Sequence, residues 1–193
     1  MSKNLRPILL LCAMTAASSL LLLSCSEEKP KQAGGKVVYE FLAEAKTAEI
    51  APYHRERVNF GQEFTINKEK RPILFEHPNA EVQFNGVAIP QNAVLQFGMG
   101  INPDVWDKPG DGVTFEITVV DEKSAKTMIF SGYIDPKAST GDRKWVDHEV
   151  DLKDFAGQKV SFLFSTTPGP RGNTEYDWAG WSKPQIRLQG QGG

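Results

Sequence analysis

Apolar and polar residues alternate with a period of two along much of the chain. The clearest runs are residues 93–99 and 113–120, where apolar side chains occupy every second position. This period is typical of a strand with one face in a core and one in water. Weaker alternation predicts further short strands near residues 58–66, 73–75, 81–87, 128–134, 145–152, 160–165 and 185–188. Residues 36–50 fit a strand or a helix, and a strand running into a loop is preferred.

This pattern predicts an all-β fold. Nine or ten short strands separated by turn residues are typical of two packed antiparallel sheets. Seventeen Gly and twelve Pro supply the turns, and eleven Phe supply a core. We therefore expect a jelly-roll β-sandwich. An immunoglobulin-like sandwich is the alternative, and a barrel is a weaker one.

The N-terminus has the form of a secretory signal. Lys3 and Arg6 precede an apolar stretch at residues 8–23, which at sixteen residues is short for a membrane span of about 20. The stretch ends in Leu22-Leu23-Ser24-Cys25, which resembles the lipobox of bacterial lipoproteins. The resemblance implies cleavage before Cys25 and lipidation of its thiol, which would anchor the chain to a membrane. An ordinary signal peptide is the alternative.

These features predict the domain organisation. We expect a signal peptide at residues 1–24, a lipidated Cys25 with a flexible tether through residue 35, a β-sandwich at 36–189 and a tail at 190–193. The tether lacks apolar residues to bury. Ser26 after the lipidated position resembles an outer-membrane sorting signal, so the expected location is extracytoplasmic, on the cell membrane or the outer membrane.

Charge and cysteine content exclude several classes of protein. The net charge is −2 with acids and bases interspersed, which argues against a nucleic-acid partner. Both cysteines, Cys12 and Cys25, lie in the first segment. A disulfide framework and a thiolate metal site are therefore excluded for the folded domain.

Several sequence blocks stand out between Pro72 and Ile186: His77-Pro78, Leu95-Gln96-Phe97-Gly98, Trp106 with residues 110–115, Trp145 with Asp151-Leu152, residues 155–160, and residues 176–181. Together these blocks resemble galactose-binding-like β-sandwich domains. The resemblance implies a jelly-roll fold, frequent glycan binding and often a structural calcium ion. The closing Asp177-Trp178-Ala179 is similar to the Asp-Trp-Ala motif of a carbohydrate-binding module of this fold, although Glu175 and Tyr176 differ from the usual His-Ala.

The loop between the two clearest strands, residues 100–112, is the first candidate site. It combines Trp106 with Asp104, Asp107 and Asp111. An aromatic ring can stack on the apolar face of a sugar while carboxylates bond its hydroxyls; the alternative is that Trp106 packs at the sandwich edge. Trp181 and Arg171 are added as ligand-binding candidates, whereas Trp178 is expected in the core.

A structural calcium ion is the one predicted cofactor. Calcium takes six to eight oxygen ligands. Asp177 and Glu175 are the preferred ligands, with Asn173 beside them, and the aspartates of the 100–112 loop are a second set. Neither set has the EF-hand spacing.

These observations predict a non-catalytic, lipid-anchored binding domain for carbohydrate or cell-envelope glycan. The alternative is a structural or protein-interaction module of an envelope complex. A hydrolase acting on glycans or esters is a weaker alternative, because no Ser/His/Asp order or His-rich metal motif stands out.

Overall fold

The computed structural model describes residues 35–190; the predicted signal peptide and Cys25 lie outside them. This part of the chain forms strands and short 3-10 helices, with no α-helix among the described residues. The strands are β1 (Val37–Glu40), β2 (Glu49–Ile50), β3 (Val58–Ile66), β4 (Glu69–Glu76), β5 (Ala80–Ala88), β6 (Ala93–Ile101), β7 (Val113–Val120), β8 (Lys126–Ile134), β9 (Val146–Asp151), β10 (Lys159–Pro168) and β11 (Ala179–Leu188). The 3-10 helices are Pro52–Arg57, Pro103–Val105, Thr140–Asp142 and Lys153–Phe155. Within residues 35–190, no helix has the length and hydrophobicity needed to span a membrane.

The strands form two antiparallel sheets. The first has the order β3-β4-β11-β6-β9, with β1 also paired to β11, and the second has the order β2-β5-β10-β7-β8. The predicted all-β jelly-roll β-sandwich is confirmed. The two strands with the clearest alternation, β6 and β7, lie in opposite sheets, so the loop between them crosses from one sheet to the other.

Aromatic rings from both sheets form the centre of the core. Phe41, just after β1, lies edge-to-face with Phe84, Phe162 and Phe164 at centroid distances of 5.0–5.2 Å. Trp181 continues this cluster at 5.2 Å from Phe164. Each such ring buries about 150–250 Å², so these rings supply much of the apolar area that holds the two sheets together.

The β3–β4 hairpin covers part of the outer face of the first sheet. β4 pairs with β11 only over residues 179–182, and β1 takes the same edge of β11 from residue 185. The hairpin places Phe64, Ile66 and Ile73 in a second apolar cluster with Trp145. The outer face is therefore closed where the hairpin lies over it, and β6 is buried along both sides.

One end of the sandwich collects five connections. Residues 101, 179 and 76 are aligned in the first sheet, and residues 113, 168 and 134 are aligned in the second. The segments that leave these positions therefore meet at the same edge. We call this edge the loop end: residues 51–57, 77–79, 102–112, 135–145 and 169–178.

Candidate functional site

Trp106 lies in the loop end but is held against the protein. Its ring packs against both apolar clusters, and its Nε1 donates to the Ile101 carbonyl at 2.8 Å. The Arg143 guanidinium lies over the ring at 5.6 Å from its centroid. The structure therefore supports the alternative for Trp106, packing at the sandwich edge, rather than an open stacking surface.

Asp111 is also a structural residue. It is 1% exposed, and its Oδ2 accepts from the Arg171 backbone N–H at 2.5 Å. Its carbonyl accepts from the Tyr133 hydroxyl. The prediction that Asp111 contacts a ligand is wrong, because its carboxyl group joins the β6–β7 and β10–β11 loops below the surface.

The hydroxyl of Tyr133 lies among carboxyl groups. Burial, followed by the nearby negative charges of Asp135 and Asp111, raises its pKa to about 12, and Arg171 opposes this rise. The phenol is therefore protonated at neutral pH and acts as a hydrogen-bond donor. It joins β8 to the 102–112 loop through the Asp111 carbonyl.

The prediction that Trp181 contacts a ligand is wrong. Its ring is wholly buried between the sheets, and its Nε1 donates to Glu76 Oε2 at 3.1 Å. Ala179 and Trp181 both face inward on β11, because positions two apart lie on the same face of a strand. Trp181 belongs to the core.

Trp178, expected in the core, is instead exposed over 36% of its surface. It lies one position before β11, on the opposite face from Ala179. Its carbonyl accepts from the Asn102 N–H at 3.0 Å, and the Asn102 side chain in turn accepts from the Asp104 N–H at 2.9 Å. Tyr176, with 41% exposure, lies two residues away. Trp178 is thus the indole that the loop end presents to solvent.

The remaining predicted ligand-binding residues lie on the surface of the loop end. Asp104 and Asp107 are exposed, and Asp107 accepts from Arg143 Nη2 at 2.9 Å. Arg171 is exposed and donates through Nη2 to the Gly110 carbonyl at 2.7 Å. Asp104 is the predicted acid closest in the chain to the Asn102 contact with Trp178.

The two residues predicted to bind calcium, Asp177 and Glu175, both bind the ammonium group of Lys137 instead. Asp177 is fully buried, and its Oδ1 accepts from Lys137 Nζ at 2.8 Å. The Glu175 carbonyl accepts from the same ammonium at 3.3 Å, while the Glu175 side chain is exposed. Across residues 35–190, no three acids or histidines are grouped so as to hold a metal ion. The residues present therefore do not fit a calcium ion at Asp177 and Glu175.

Sequence reasoning missed Lys137 and Glu76. Lys137 lies in a polar loop without apolar alternation, so no pattern marks it as buried. Glu76 had a usable signal, because Leu74 faces inward and the residue two positions later must share that face. Glu76 is fully buried, and this burial raises its pKa well above the ordinary value, although the Trp181 hydrogen bond opposes the rise.

A depression lies at the end of the sandwich opposite to the loop end. It has a volume of about 520 Å³ and is lined by Asp121, Glu122, Lys123, Gly157, Gln158 and Lys159. These side chains are polar or charged and include no aromatic ring. The loop end is therefore the better candidate for a site that recognises an apolar face of a ligand.

Comparison with known sequences identifies one relative but no family. No family model matches the chain. An uncharacterized protein of Archaeoglobus fulgidus is 48% identical over 127 residues, which cover 63% of this chain and 32% of that protein. The chain thus spans about a third of the length of that relative.

Solved structures share the fold. A CBM51 module from Clostridium perfringens GH95, solved with methyl-galactose, has a TM-score of 0.51 at 17% identity, covering 78% of this chain and 99% of that one. The K3 cleaved adhesin domain of Lys-gingipain from Porphyromonas gingivalis has a TM-score of 0.51 at 12% identity, with 79% and 97% covered. These likenesses define the chain as a β-sandwich of the kind found in carbohydrate-binding modules.

Proposed function

We propose that this chain is a lipid-anchored, extracytoplasmic, non-catalytic domain that binds carbohydrate, and that Trp178 is its stacking residue. The exposed indole of Trp178 at the loop end carries the proposal. A pyranose ring offers an apolar face to an indole, and the surrounding polar groups bond its hydroxyls. The lipid anchor follows from the sequence around Cys25 and is part of the proposal.

The surroundings of Trp178 support this assignment. Its backbone is tied to Asn102, so the strand end that carries the ring is fixed to the 102–112 loop. Asp104 and Tyr176 are exposed within two residues of this contact along their segments. Preorganised aromatic and polar groups of this kind lower the ordering cost of binding. The CBM51 module that shares this fold was solved with methyl-galactose, which is consistent with a sugar as the ligand class.

The covered outer face of the first sheet also favours the loop end. The β3–β4 hairpin places Phe64 and Ile73 over this face, where they pack with Trp145 of the β8–β9 connection. A ligand lying across those strands would have to displace a packed apolar cluster. A ligand that binds at the loop end displaces no such cluster.

A glycan-array screen tests the proposal. Full-length protein in detergent should bind a defined set of glycans, and Trp178→Ala should lose at least tenfold in affinity with little change in Tm, because the ring is partly exposed. Met128→Ala removes another exposed apolar side chain, on β8, and should leave binding unchanged.

Two results would contradict the proposal. An array without specific binding by folded protein would favour the protein-interaction alternative, and recovery of a stoichiometric partner from solubilised membranes would then identify that role. Full retention of glycan binding by Trp178→Ala would instead move the site elsewhere on the domain.

A further inference from the structure

Lys137 is a buried cation at the point where the loops of the loop end converge. Its side chain is only 6% exposed. It extends from the β8–β9 loop to the β10–β11 loop, where its ammonium bonds Asp177 Oδ1 at 2.8 Å and the Glu175 carbonyl at 3.3 Å. A single ammonium group therefore joins two loops that are about forty residues apart in sequence.

A third loop packs on the same ammonium. Gly110, in the β6–β7 loop, has a φ of +150°, and a Cβ added there would overlap Lys137 Nζ, with Cε and Cδ close behind. The lack of a side chain at Gly110 lets the backbone of this loop lie directly against the lysine. Lys137 thus contacts the β6–β7, β8–β9 and β10–β11 connections at one point.

Buried negative charge surrounds this point. Asp177 is 0% exposed and Asp111 is 1% exposed. One oxygen of each, Asp177 Oδ2 and Asp111 Oδ1, has no hydrogen-bond partner among residues 35–190. Burial is the main reason that the pKa of Asp177 is raised, and the negative charge of Asp111 raises it further. The hydrogen bond and the charge of Lys137 lower this pKa. Two buried carboxylates and a carbonyl are the ligand chemistry of a hard divalent cation.

We propose that the Lys137 ammonium takes the place of a metal ion in the loop end. It holds three loops together and makes their structure independent of calcium. An ammonium is a compact point charge with three donors, so it can neutralise a buried carboxylate and bond a carbonyl at the same time. It does so without the six to eight oxygens that calcium requires. This inference does not depend on glycan binding, because its test measures stability.

The test compares Tm values of full-length protein in detergent with calcium chloride and with EDTA. The wild type should have the same Tm in both. Lys137→Met keeps most of the side-chain volume but removes the charge, and it should lower Tm by about 10 °C, because breaking a buried ion pair leaves an uncompensated charge. The control Lys108→Met changes an exposed lysine of the same end and should leave Tm unchanged.

A double variant separates charge from packing. Lys137→Met with Asp177→Asn removes both members of the pair, so it should recover most of the Tm that Lys137→Met loses. A lower Tm of the wild type in EDTA would overturn the proposal. So would a Lys137→Met protein as stable as the wild type, or a double variant no more stable than the single one.

Discussion

At the scale of single residues, Trp178 and Trp181 have opposite roles although they are three positions apart. Successive side chains of a strand point to opposite faces, so two residues separated by three positions cannot share one face. The alternation therefore directs the two rings to opposite faces of the first sheet. It does not indicate which ring faces the core, because that depends on the register of β11 between β4 and β6, set by contacts far away in the chain.

Glu76 is the residue whose burial has the clearest energetic consequence. It ends β4 facing the core, where Trp181 bonds Oε2 and Oε1 has no partner among the described residues. A carboxyl group without water favours its neutral form, so its pKa lies well above the ordinary value. Folding at neutral pH must therefore take up a proton or bury a charge, and either event reduces stability.

Glu76→Gln should stabilise the protein at neutral and alkaline pH. The glutamine keeps an oxygen for the Trp181 hydrogen bond but carries no ionisable group, so the free energy of unfolding should rise by about 1–3 kcal/mol at pH 8. The effect should shrink toward pH 4, where the glutamate is protonated in both the folded and unfolded states. Urea unfolding at the two pH values measures this difference. An equal effect of the substitution at both pH values would show that ionisation of Glu76 does not contribute.

At the scale of elements, the β3–β4 hairpin closes over a strip of small residues. Gly98, Gly100 and Gly180 face outward on β6 and β11 beneath it. Arg71 fastens the hairpin by pairing with Asp147 on β9 and lying over the Trp145 ring at 4.9 Å from its centroid. The missing side chains are therefore what allow the hairpin to pack against the sheet.

Gly100→Ala should weaken this contact. An added Cβ would lie 2.7 Å from the Trp145 ring and 2.8 Å from Ile66 Cδ1, which is closer than side chains pack. Overpacking of this kind costs about 1–3 kcal/mol of stability, which thermal or urea unfolding would measure. Gly61→Ala is the matched control in β3, since its nearest neighbour would lie at 3.5 Å. If both variants unfold alike, the hairpin does not pack tightly over Gly100.

The alternation of residues predicted most strands but not how they associate. The strands at residues 93–99, 113–120 and 145–152 correspond to β6, β7 and β9 within a few residues. Their distribution between sheets depends on which strands pair, and β6 pairs with β9 and β11 rather than with its neighbour in sequence, β7. Local periodicity carries no information about such long-range pairings.

At the scale of the whole molecule, the loop end was only partly predictable. The sequence identified the 100–112 loop as a candidate site, and the structure places that loop beside residues 169–178, which carry Trp178 and Asp177. Lys137 and Arg143 come from a third connection and bond the other two. The candidate site is thus formed by segments that meet only when both sheets have assembled, so its exposed aromatic residue could not be identified from one loop.

One buried and one half-buried group give the whole molecule opposing responses to pH. Glu76, with a raised pKa, supplies stability that is complete below about 4.5 and is lost as pH rises toward its folded pKa. His148 lies between Phe97 and Phe130, at centroid distances of 5.5 and 4.7 Å, and burial lowers its pKa, although Asp147 opposes this. Its contribution is therefore complete above about 6.5 and is lost as pH falls toward its folded pKa.

Between pH 4.5 and 6.5 these two contributions change in opposite directions, so single variants should reveal each slope. Glu76→Gln leaves His148 in place, and its stability should rise with pH across this window more steeply than that of the wild type. His148→Phe keeps an aromatic ring against Phe97 and Phe130, and its stability should fall with rising pH, because Glu76 then acts without the opposing histidine. Urea midpoints at half-unit pH intervals would measure both slopes. Parallel curves for the wild type and both variants would assign the pH dependence to other groups.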